Sequence, residues 1–289
     1  MVRLLSTAQA IADQVVSNRS ATGHSHHFAG HRARLTEEIC ARARPDGGAR
    51  LCLLGAGNAG DVDLEQLAAR FREIHLVDID AEAVRRAQQS VGPETARRLV
   101  LHAPVDVSGS FDLLAGWART PPEPAALSQA TSAAVARVVG QLPGPFDLVV
   151  SCCLLTQLQL ALVQVVGDRN PRFADLRALL NRVHVRVLAT LSKGRGRALL
   201  VTDLTSNDTY PLDDLAPEAD LRALMTQLLS VGNVIHAAHP GLLSAEIRRQ
   251  PEWNADFTVG APIGPWIWHN GPAITFLVYA LEIAARAAS

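Results

Sequence analysis

Short apolar runs alternate with helical patterns through most of this sequence after Arg50. Each run is rich in Leu, Ile and Val, and stretches with the spacing of an amphipathic helix separate one run from the next. This alternation is typical of βαβ units, in which helices connect the strands of a parallel sheet. The predicted strands cover residues 50–55, 73–78, 98–103, 146–151 and 196–203. The predicted helices between them lie near 62–71, 81–90, 111–118, 128–140, 153–166 and 173–192.

The segment before the first strand has a different character. Its apolar spacing predicts helices near 4–17 and 28–44, and the second ends before the turn sequence PDGG. We therefore divide the chain into an N-terminal helical cap or lid, residues 1–48, and a main domain, residues 49–289.

The segment after Asp203 also departs from the alternating pattern. A polar linker at 204–214 leads into predicted helices near 217–231 and 241–249. Two late apolar segments, 257–268 and 273–283, predict a closing pair of strands.

Composition narrows the classes of function. Of 289 residues, 48% are hydrophobic and 19% charged, which is enough apolar material for a sizeable core. A net charge of −1 gives no basic footprint, so we expect no nucleic-acid partner. The four cysteines lack C-x-x-C spacing and lie in apolar segments, which predicts reduced thiols. No run approaches the roughly 20 apolar residues of a membrane span, and the polar N-terminal segment does not resemble a signal peptide. We expect a cytoplasmic protein without membrane contact.

A glycine-rich turn follows the first predicted strand. The sequence LLGAGNAGDVDL contains G-x-G-x-x-G, which lets the backbone approach a ligand and usually precedes a pyrophosphate-binding helix start. Here the acids Asp61, Asp63 and Glu65 follow at once. They suit a helix dipole, but they would repel a docked phosphate. S-adenosylmethionine has an ammonium group, a sulfonium and no phosphate, so this pattern favours it over NAD(P). An NAD(P)-dependent oxidoreductase remains the alternative.

Acidic residues also end the second and third predicted strands. Asp78 lies about twenty residues beyond the glycine turn, where a carboxylate can accept both ribose hydroxyls. Ile79 can lie against an adenine face. Asp106 is positioned to accept from the adenine amino group, or it is a turn or helix-capping acid.

Five segments, taken together in this order and spacing, resemble the cofactor-binding motifs of the class I S-adenosylmethionine-dependent methyltransferases. They are LCLLGAGNAGDVDL, IHLVDIDAEAV, VDVSG, FDLVVSCCLLTQL and GRALLVTDL, spanning about Arg50 to Asp203. The resemblance implies an α/β, Rossmann-like fold with seven strands, mostly parallel, in the order 3-2-1-4-5-7-6, the last strand antiparallel, with helices on both faces and an N-terminal helical extension. It implies S-adenosyl-L-methionine as cofactor and a set of cofactor-binding residues: Gly55, Ala56, Gly57, Asn58 and Asp61 near the methionine end, Asp78 at the ribose, Ile79, Asp106 and Val107 at the adenine, and Ser151 beneath the methyl group.

The segment after the fourth strand bears on the methyl acceptor. Methyltransferases that act on planar amino groups usually carry Asn/Asp-Pro-Pro-aromatic there, whereas this chain reads SCCLLTQL. Cys152 and Cys153 suggest a carbon-5 pyrimidine methyltransferase, a class of enzyme that needs a cysteine nucleophile. The apolar sequence around them is better explained by buried structural thiols. We expect methyl transfer to an O or N nucleophile of a small molecule or peptide-like natural product. A non-catalytic S-adenosylmethionine-binding protein is a further alternative.

Histidines supply the candidate general bases. His27 and His31 are four apart and would share a helix face, and His269 follows PWIW near the C-terminus. Without H-E-x-x-H or an acidic partner, we expect no metal site. Phe28 and Trp268 are the candidate substrate contacts, with Trp266 expected in the core and Trp268 at a pocket. Alternatively, His269 only begins a hairpin turn, Trp266 and Trp268 both fill the core, and the N-terminal histidines form a polar connector.

Overall fold

The computed structural model describes residues 4–24, 26–192, 194, 196–249 and 256–286. These residues form eight strands: β1 (Arg50–Leu54), β2 (Glu73–Val77), β3 (Leu99–His102), β4 (Leu148–Cys152), β5 (Arg197–Ser206), β6 (Phe257–Val259), β7 (Ile263–His269) and β8 (Thr275–Ala285). They also form eleven α-helices: α1 (Thr7–Ala21), α2 (Ala29–Cys40), α3 (Leu64–Ala68), α4 (Ala81–Gln89), α5 (Pro93–Ala96), α6 (Phe111–Arg119), α7 (Pro124–Val139), α8 (Leu154–Val166), α9 (Phe173–Leu191), α10 (Leu221–Val231) and α11 (Pro240–Arg248).

All the described strands join one sheet in the order β3-β2-β1-β4-β5-β8-β6, with β7 also paired to β8. Strands β1 to β5 are parallel, and β8 runs antiparallel to β5. The predicted Rossmann-like α/β fold, mostly parallel with helices on both faces, is therefore confirmed.

The predicted number of strands is wrong by one. The segment 257–268 was expected as a single strand, but it forms β6 and β7, which pair with successive parts of β8 along the same edge. Pro262 and Pro265 have no N–H to donate, and Gly264 adopts φ +95°, so the ladder is interrupted between the two strands. The register of β7 against β8 shifts between Ile263 and Trp266 for the same reason.

The fifth strand is longer than its sequence suggests. The polar linker was expected to begin at residue 204, yet β5 continues to Ser206 because its last residues pair with β8 as far as Phe276. Asp203 therefore lies within a paired strand. It is two residues beyond Val201, where the pairing of β5 with β4 ends.

Two buried clusters cover the two faces of the sheet. Helices α8 and α9 pack on one face and contribute Leu155 and Leu188, while α2 and α3 pack on the other with Leu35 and Leu67. The parallel strands are buried on both faces, which explains why they appear in the sequence as continuous apolar runs.

The two N-terminal helices differ in how firmly they are packed. Helix α1 begins with a capping box between Ser6 and Gln9, and Ala10 is its one buried residue. Helix α2 buries several side chains and contacts β7. Among the helices in the described ranges, none combines the length and apolar character needed to cross a membrane.

Candidate functional site

The glycine turn after β1 is fixed to the end of β2. Gly55 and Gly57 have φ of +72° and +49°, a region that favours glycine. A Cβ on Gly55 would lie 2.9 Å from the Leu154 Cβ, so the turn also has no room for a side chain there. The Gly57 N–H donates to Asp78 Oδ2 at 2.8 Å. The turn and the carboxylate therefore form one rigid unit.

Asp78 is buried and holds two backbone amides. Its Oδ1 accepts from the Asp80 N–H at 2.8 Å, and its Oδ2 accepts from Gly57. Burial raises the pKa of this carboxyl above its ordinary value, and the two amides partly oppose that effect. Each oxygen retains lone-pair capacity for a ligand hydroxyl.

Two adjoining cavities open at the carboxyl ends of the parallel strands. Their volumes are about 720 and 280 Å³, and Gly55 and Asp78 line both. Strand order reverses between β1 and β4, which is where ligands bind in open α/β sheets.

Most of the predicted cofactor residues line these cavities. The larger cavity is lined by Gly55, Ala56, Gly57, Asn58, Asp61 and Asp78. The smaller one is lined by Ile79, Asp106 and Val107, together with further apolar side chains. Ser151 is outside both linings because its fully buried Oγ lies 2.8 Å from His184 Nε2, toward α9.

Asp106 accepts hydrogen bonds within its own loop and also lines the smaller cavity. Its Oδ1 accepts from the Ser108 N–H at 2.9 Å, and its Oδ2 accepts from the Phe111 N–H at 2.9 Å, at the start of α6. The capping role considered from the sequence is therefore present. The carboxylate still borders a cavity whose walls include Ile79 and Val107.

Helix α1 contributes cavity residues that sequence reasoning missed. Gln14, Ser17 and Asn18 line the larger cavity. Asn18 Nδ2 donates to Asp80 Oδ2 at 3.2 Å, and the Asn58 side chain donates to the Asn18 carbonyl at 2.5 Å. Gln14 and Asn18 are four residues apart on one helix face, and this polar pair was the available signal.

His31 is buried between two tryptophans. Its Nδ1 accepts from Trp266 Nε1 at 3.0 Å, and its ring stacks on Trp268 with centroids 4.5 Å apart. Burial lowers the pKa of His31 to about 3, so the ring is neutral near pH 7. Trp268 lines the larger cavity, whereas His31 is not part of its lining.

The two tryptophans share one face of β7, although Trp268 lines the larger cavity and Trp266 does not. Residues two apart in a strand point to the same face, and Trp266 and Trp268 both join the cluster around α2. Phe28 does line the larger cavity, with its ring edge toward Trp268 at a centroid distance of 6.0 Å.

The three candidate histidines are not brought together. The His27 ring lies beside the His26 ring, with centroids 4.0 Å apart and the planes tilted by 40°. The exposed His269 has its Nδ1 3.0 Å from Thr275 Oγ1, on the face of β7 opposite Trp268. Neither residue belongs to the lining of the two cavities.

Two carboxyl groups of the larger cavity are candidates for the general base. Asp61 and Asp203 both line the larger cavity. Thr156 Oγ1 donates to Asp203 Oδ2 at 2.6 Å, and no hydrogen-bond partner reaches Asp203 Oδ1 among the described residues. Burial raises the pKa of Asp203 to about 6. Burial and the nearby Asp203 raise the pKa of Asp61 to about 7, and Arg32 opposes this. Asp203 was missed although, like Asp78, it terminates a predicted parallel strand.

The adjacent thiols are buried and protonated. Cys152 and Cys153 are nearly inaccessible, and burial raises the pKa of each well above its ordinary value. Such thiols are poor nucleophiles. Within the described ranges, no group of three or more His, Cys, Asp or Glu side chains has the arrangement of a metal site.

No protein-family profile and no curated protein matches the sequence. Solved structures do match. The YcgJ protein from Bacillus subtilis has 14% identity and a TM-score of 0.44, covering 92% of this chain and all of its own. Magnesium protoporphyrin IX methyltransferase from Synechocystis PCC 6803, with bound SAH, has 12% identity and a TM-score of 0.42, covering 91% of this chain and 86% of its own. A SAM-dependent methyltransferase from Methanosarcina mazei has 14% identity and a TM-score of 0.42, covering 84% and 94%.

Replacing His31 should change how stability depends on pH. Between its ordinary pKa of 6.5 and its folded value of about 3, only the unfolded chain binds a proton at this ring. The free energy of unfolding should therefore fall as pH decreases, by up to about 1.4 kcal/mol per pH unit from this residue. His31→Gln should be less stable at neutral pH but should lose stability less steeply in acid. Urea unfolding at stepped pH measures both slopes, and equal slopes would contradict a buried neutral His31.

Proposed function

We propose that this chain is an S-adenosylmethionine-dependent methyltransferase that acts on an O or N nucleophile of a small molecule or peptide-like natural product. The proposal rests on the backbone amides at the start of the helix after the glycine turn, which already have hydrogen-bond partners within the chain. Helix α3 begins only at Leu64, and its cap residue Asp63 already accepts from the Gln66 N–H at 3.0 Å. The Asp63 N–H in turn donates to Thr36 Oγ1 at 2.9 Å. These two amides at the helix start are thus already engaged and are not available to a pyrophosphate.

Charge at the same place also disfavours a dinucleotide. Asp61, Asp63 and Glu65 line the larger cavity next to the glycine turn. Two like charges about 4 Å apart repel by about 4 kcal/mol at an effective dielectric of about 20. A ligand with a cationic end avoids this cost, and S-adenosylmethionine has such an end.

The two cavities fit the parts of this cofactor. In the proposed arrangement, the smaller cavity holds the adenine between apolar side chains that include Ile79 and Val107, and Asp78 accepts from the ribose hydroxyls. The turn from Gly55 to Asn58 and the Asp61 carboxyl surround the methionine end. The bound cofactor would supply an electrophilic methyl group on a cationic sulfur.

The chain's own contribution to the reaction is positioning and proton removal. We assign the proton acceptor to Asp203 in place of the three histidines. Its carboxyl lines the larger cavity, and its raised pKa of about 6 lies close to neutrality, where a general base is most effective. Thr156 donates to Asp203 Oδ2, and the Cys153 thiol also interacts with this carboxyl. His31, by contrast, holds α2 to β7 through Trp266.

Cofactor binding tests the proposal directly. S-adenosylhomocysteine should bind with a micromolar Kd, about −8 kcal/mol, and NAD should bind far more weakly. Asp78→Ala should weaken S-adenosylhomocysteine by about ten-fold or more, because the ribose hydroxyls lose their acceptor. Asp208→Asn, an exposed acid outside both cavity linings, is the control. Isothermal titration calorimetry measures the affinity of each ligand for the unmodified protein and for the two variants. Tight NAD binding without S-adenosylhomocysteine binding would reject the proposal.

The role of Asp203 predicts a pH profile. The carboxylate is the active form, so kcat/KM should fall as pH drops through about 6. Asp203→Asn should lower kcat by about 10²- to 10⁴-fold and abolish this dependence, while S-adenosylhomocysteine binds as before. The measurement uses an acceptor found by screening for products heavier by one methylene. An unchanged profile in Asp203→Asn would assign the base elsewhere.

A further inference from the structure

Aromatic rings form one wall of the larger cavity. Phe28, Trp268 and Phe276 line it, and Trp268 packs against both neighbours, with centroids 6.0 Å from Phe28 and 5.4 Å from Phe276. The rings come from three separate segments: the residue before α2, strand β7 and strand β8. Ring faces attract cations, most strongly in a desolvated site.

Carboxyl groups outnumber cationic groups around the same cavity. Its acidic lining residues are Asp61, Asp63, Glu65, Asp78 and Asp203, and its basic lining residues are Arg32 and Arg86. Arg86 Nε donates to Asn58 Oδ1 at 2.9 Å, and the Arg32 side chain donates to the Gly60 carbonyl at 2.7 Å. The excess of acids makes the cavity a site for positive charge.

Within the described ranges, three lining residues have a buried polar atom without a hydrogen bond: Arg86, Asp203 and Trp268. Arg86 Nη2 lies 3.6 Å from Asp80 Oδ2, with which it forms an ion pair. Asp203 is 4% exposed and Trp268 is 5% exposed. Neither Asp203 Oδ1, an acceptor, nor Trp268 Nε1, a donor, makes a hydrogen bond to any part of the chain that the structure describes. A buried polar atom without a partner is costly, so a ligand group that reached Asp203 Oδ1 or Trp268 Nε1 would relieve that cost.

Asp203 lies far from the proposed ribose site. Asp78 follows β2, and Asp203 lies near the carboxyl end of β5, with β1 and β4 between them in the sheet. Three interstrand spacings amount to about 14 Å. The aromatic wall lies on the Asp203 side because β8 is the neighbour of β5 and β7 pairs with β8.

We propose that the acceptor is an aliphatic amine with a bulky apolar substituent, bound as its ammonium ion by Asp203 against Phe28, Trp268 and Phe276. This inference rests on the proposed function and narrows its O or N nucleophile to an sp³ nitrogen. The missing Asn/Asp-Pro-Pro-aromatic sequence agrees with a nucleophile that is not a planar amino group.

The proton balance of the reaction follows. The ammonium ion gives one proton to the Asp203 carboxylate, which frees the nitrogen lone pair. That pair forms the new N–C bond to the donated methyl group, while the C–S bond breaks and its electrons stay on sulfur. The products are a methylated ammonium ion and a neutral thioether, and the proton on Asp203 passes to solvent.

Matched amine and alcohol pairs test the site. The probes are benzylamine with benzyl alcohol, cyclohexylamine with cyclohexanol, and tryptamine with tryptophol, titrated by calorimetry into the full chain saturated with S-adenosylhomocysteine. At least one amine should bind saturably, and its alcohol about ten-fold or more weakly. Asp203→Asn should weaken that amine by about 30-fold or more, while Asp208→Asn leaves it unchanged.

The outcomes separate this inference from the proposed function. Alcohols that bind as tightly as their amines, or the absence of saturable binding by every amine, would overturn the amine site. The comparison of pairs in the unmodified protein decides the question even if Asp203→Asn does not fold. Failure of S-adenosylhomocysteine to bind would instead reject the proposed function, and amine titrations of the chain alone would then judge the site by itself.

Discussion

The site depends on the reversal of strand order beside β1. Strands β2 and β3 lie on one side of it and β4 and β5 on the other, so the connections leave the sheet in opposite directions and a crevice opens between them. The Gly57–Asp78 hydrogen bond closes the β2 side of that crevice. Asp61 and Asp203 stand on the other side, so one cavity has two chemically different ends.

Holding carboxyl groups in that crevice has a price in stability. The folded pKa of Asp203 is about 6 against an ordinary value of 3.8, so the folded protein binds a proton there more tightly than the unfolded chain does. The tighter proton binding at Asp203 adds about 3 kcal/mol to the free energy of unfolding. This contribution is fully present below pH 3.8 and is lost as pH rises through about 6. At neutral pH the ionised Asp203 carboxylate therefore destabilises the fold.

The sequence predicted features that depend on local pattern. The strands of the parallel sheet were recognisable because burial on both faces makes them continuous apolar runs, and Asp78 was recognisable by its distance from the glycine turn. The predictions were wrong where pairing with a distant segment of the chain sets the ends of a strand. Strand β5 continues past Asp203 because β8 pairs with it, and 257–268 splits because prolines interrupt its ladder. No local pattern distinguishes the cavity-facing Asp203 from the buried Ser151.

The N-terminal segment combines a fixed wall with a weakly attached cover. Helix α2 is fixed because His31 accepts from Trp266 and stacks on Trp268, two side chains of β7. That contact also sets the position of Trp268 in the cavity wall. Helix α1 buries only Ala10 and reaches the site through polar side chains such as Asn18. The contacts of α1 with the glycine turn are therefore fewer and more polar than those that hold α2. A ligand in the larger cavity that hydrogen-bonds to Gln14 or Asn18 would add a contact between α1 and the rest of the site.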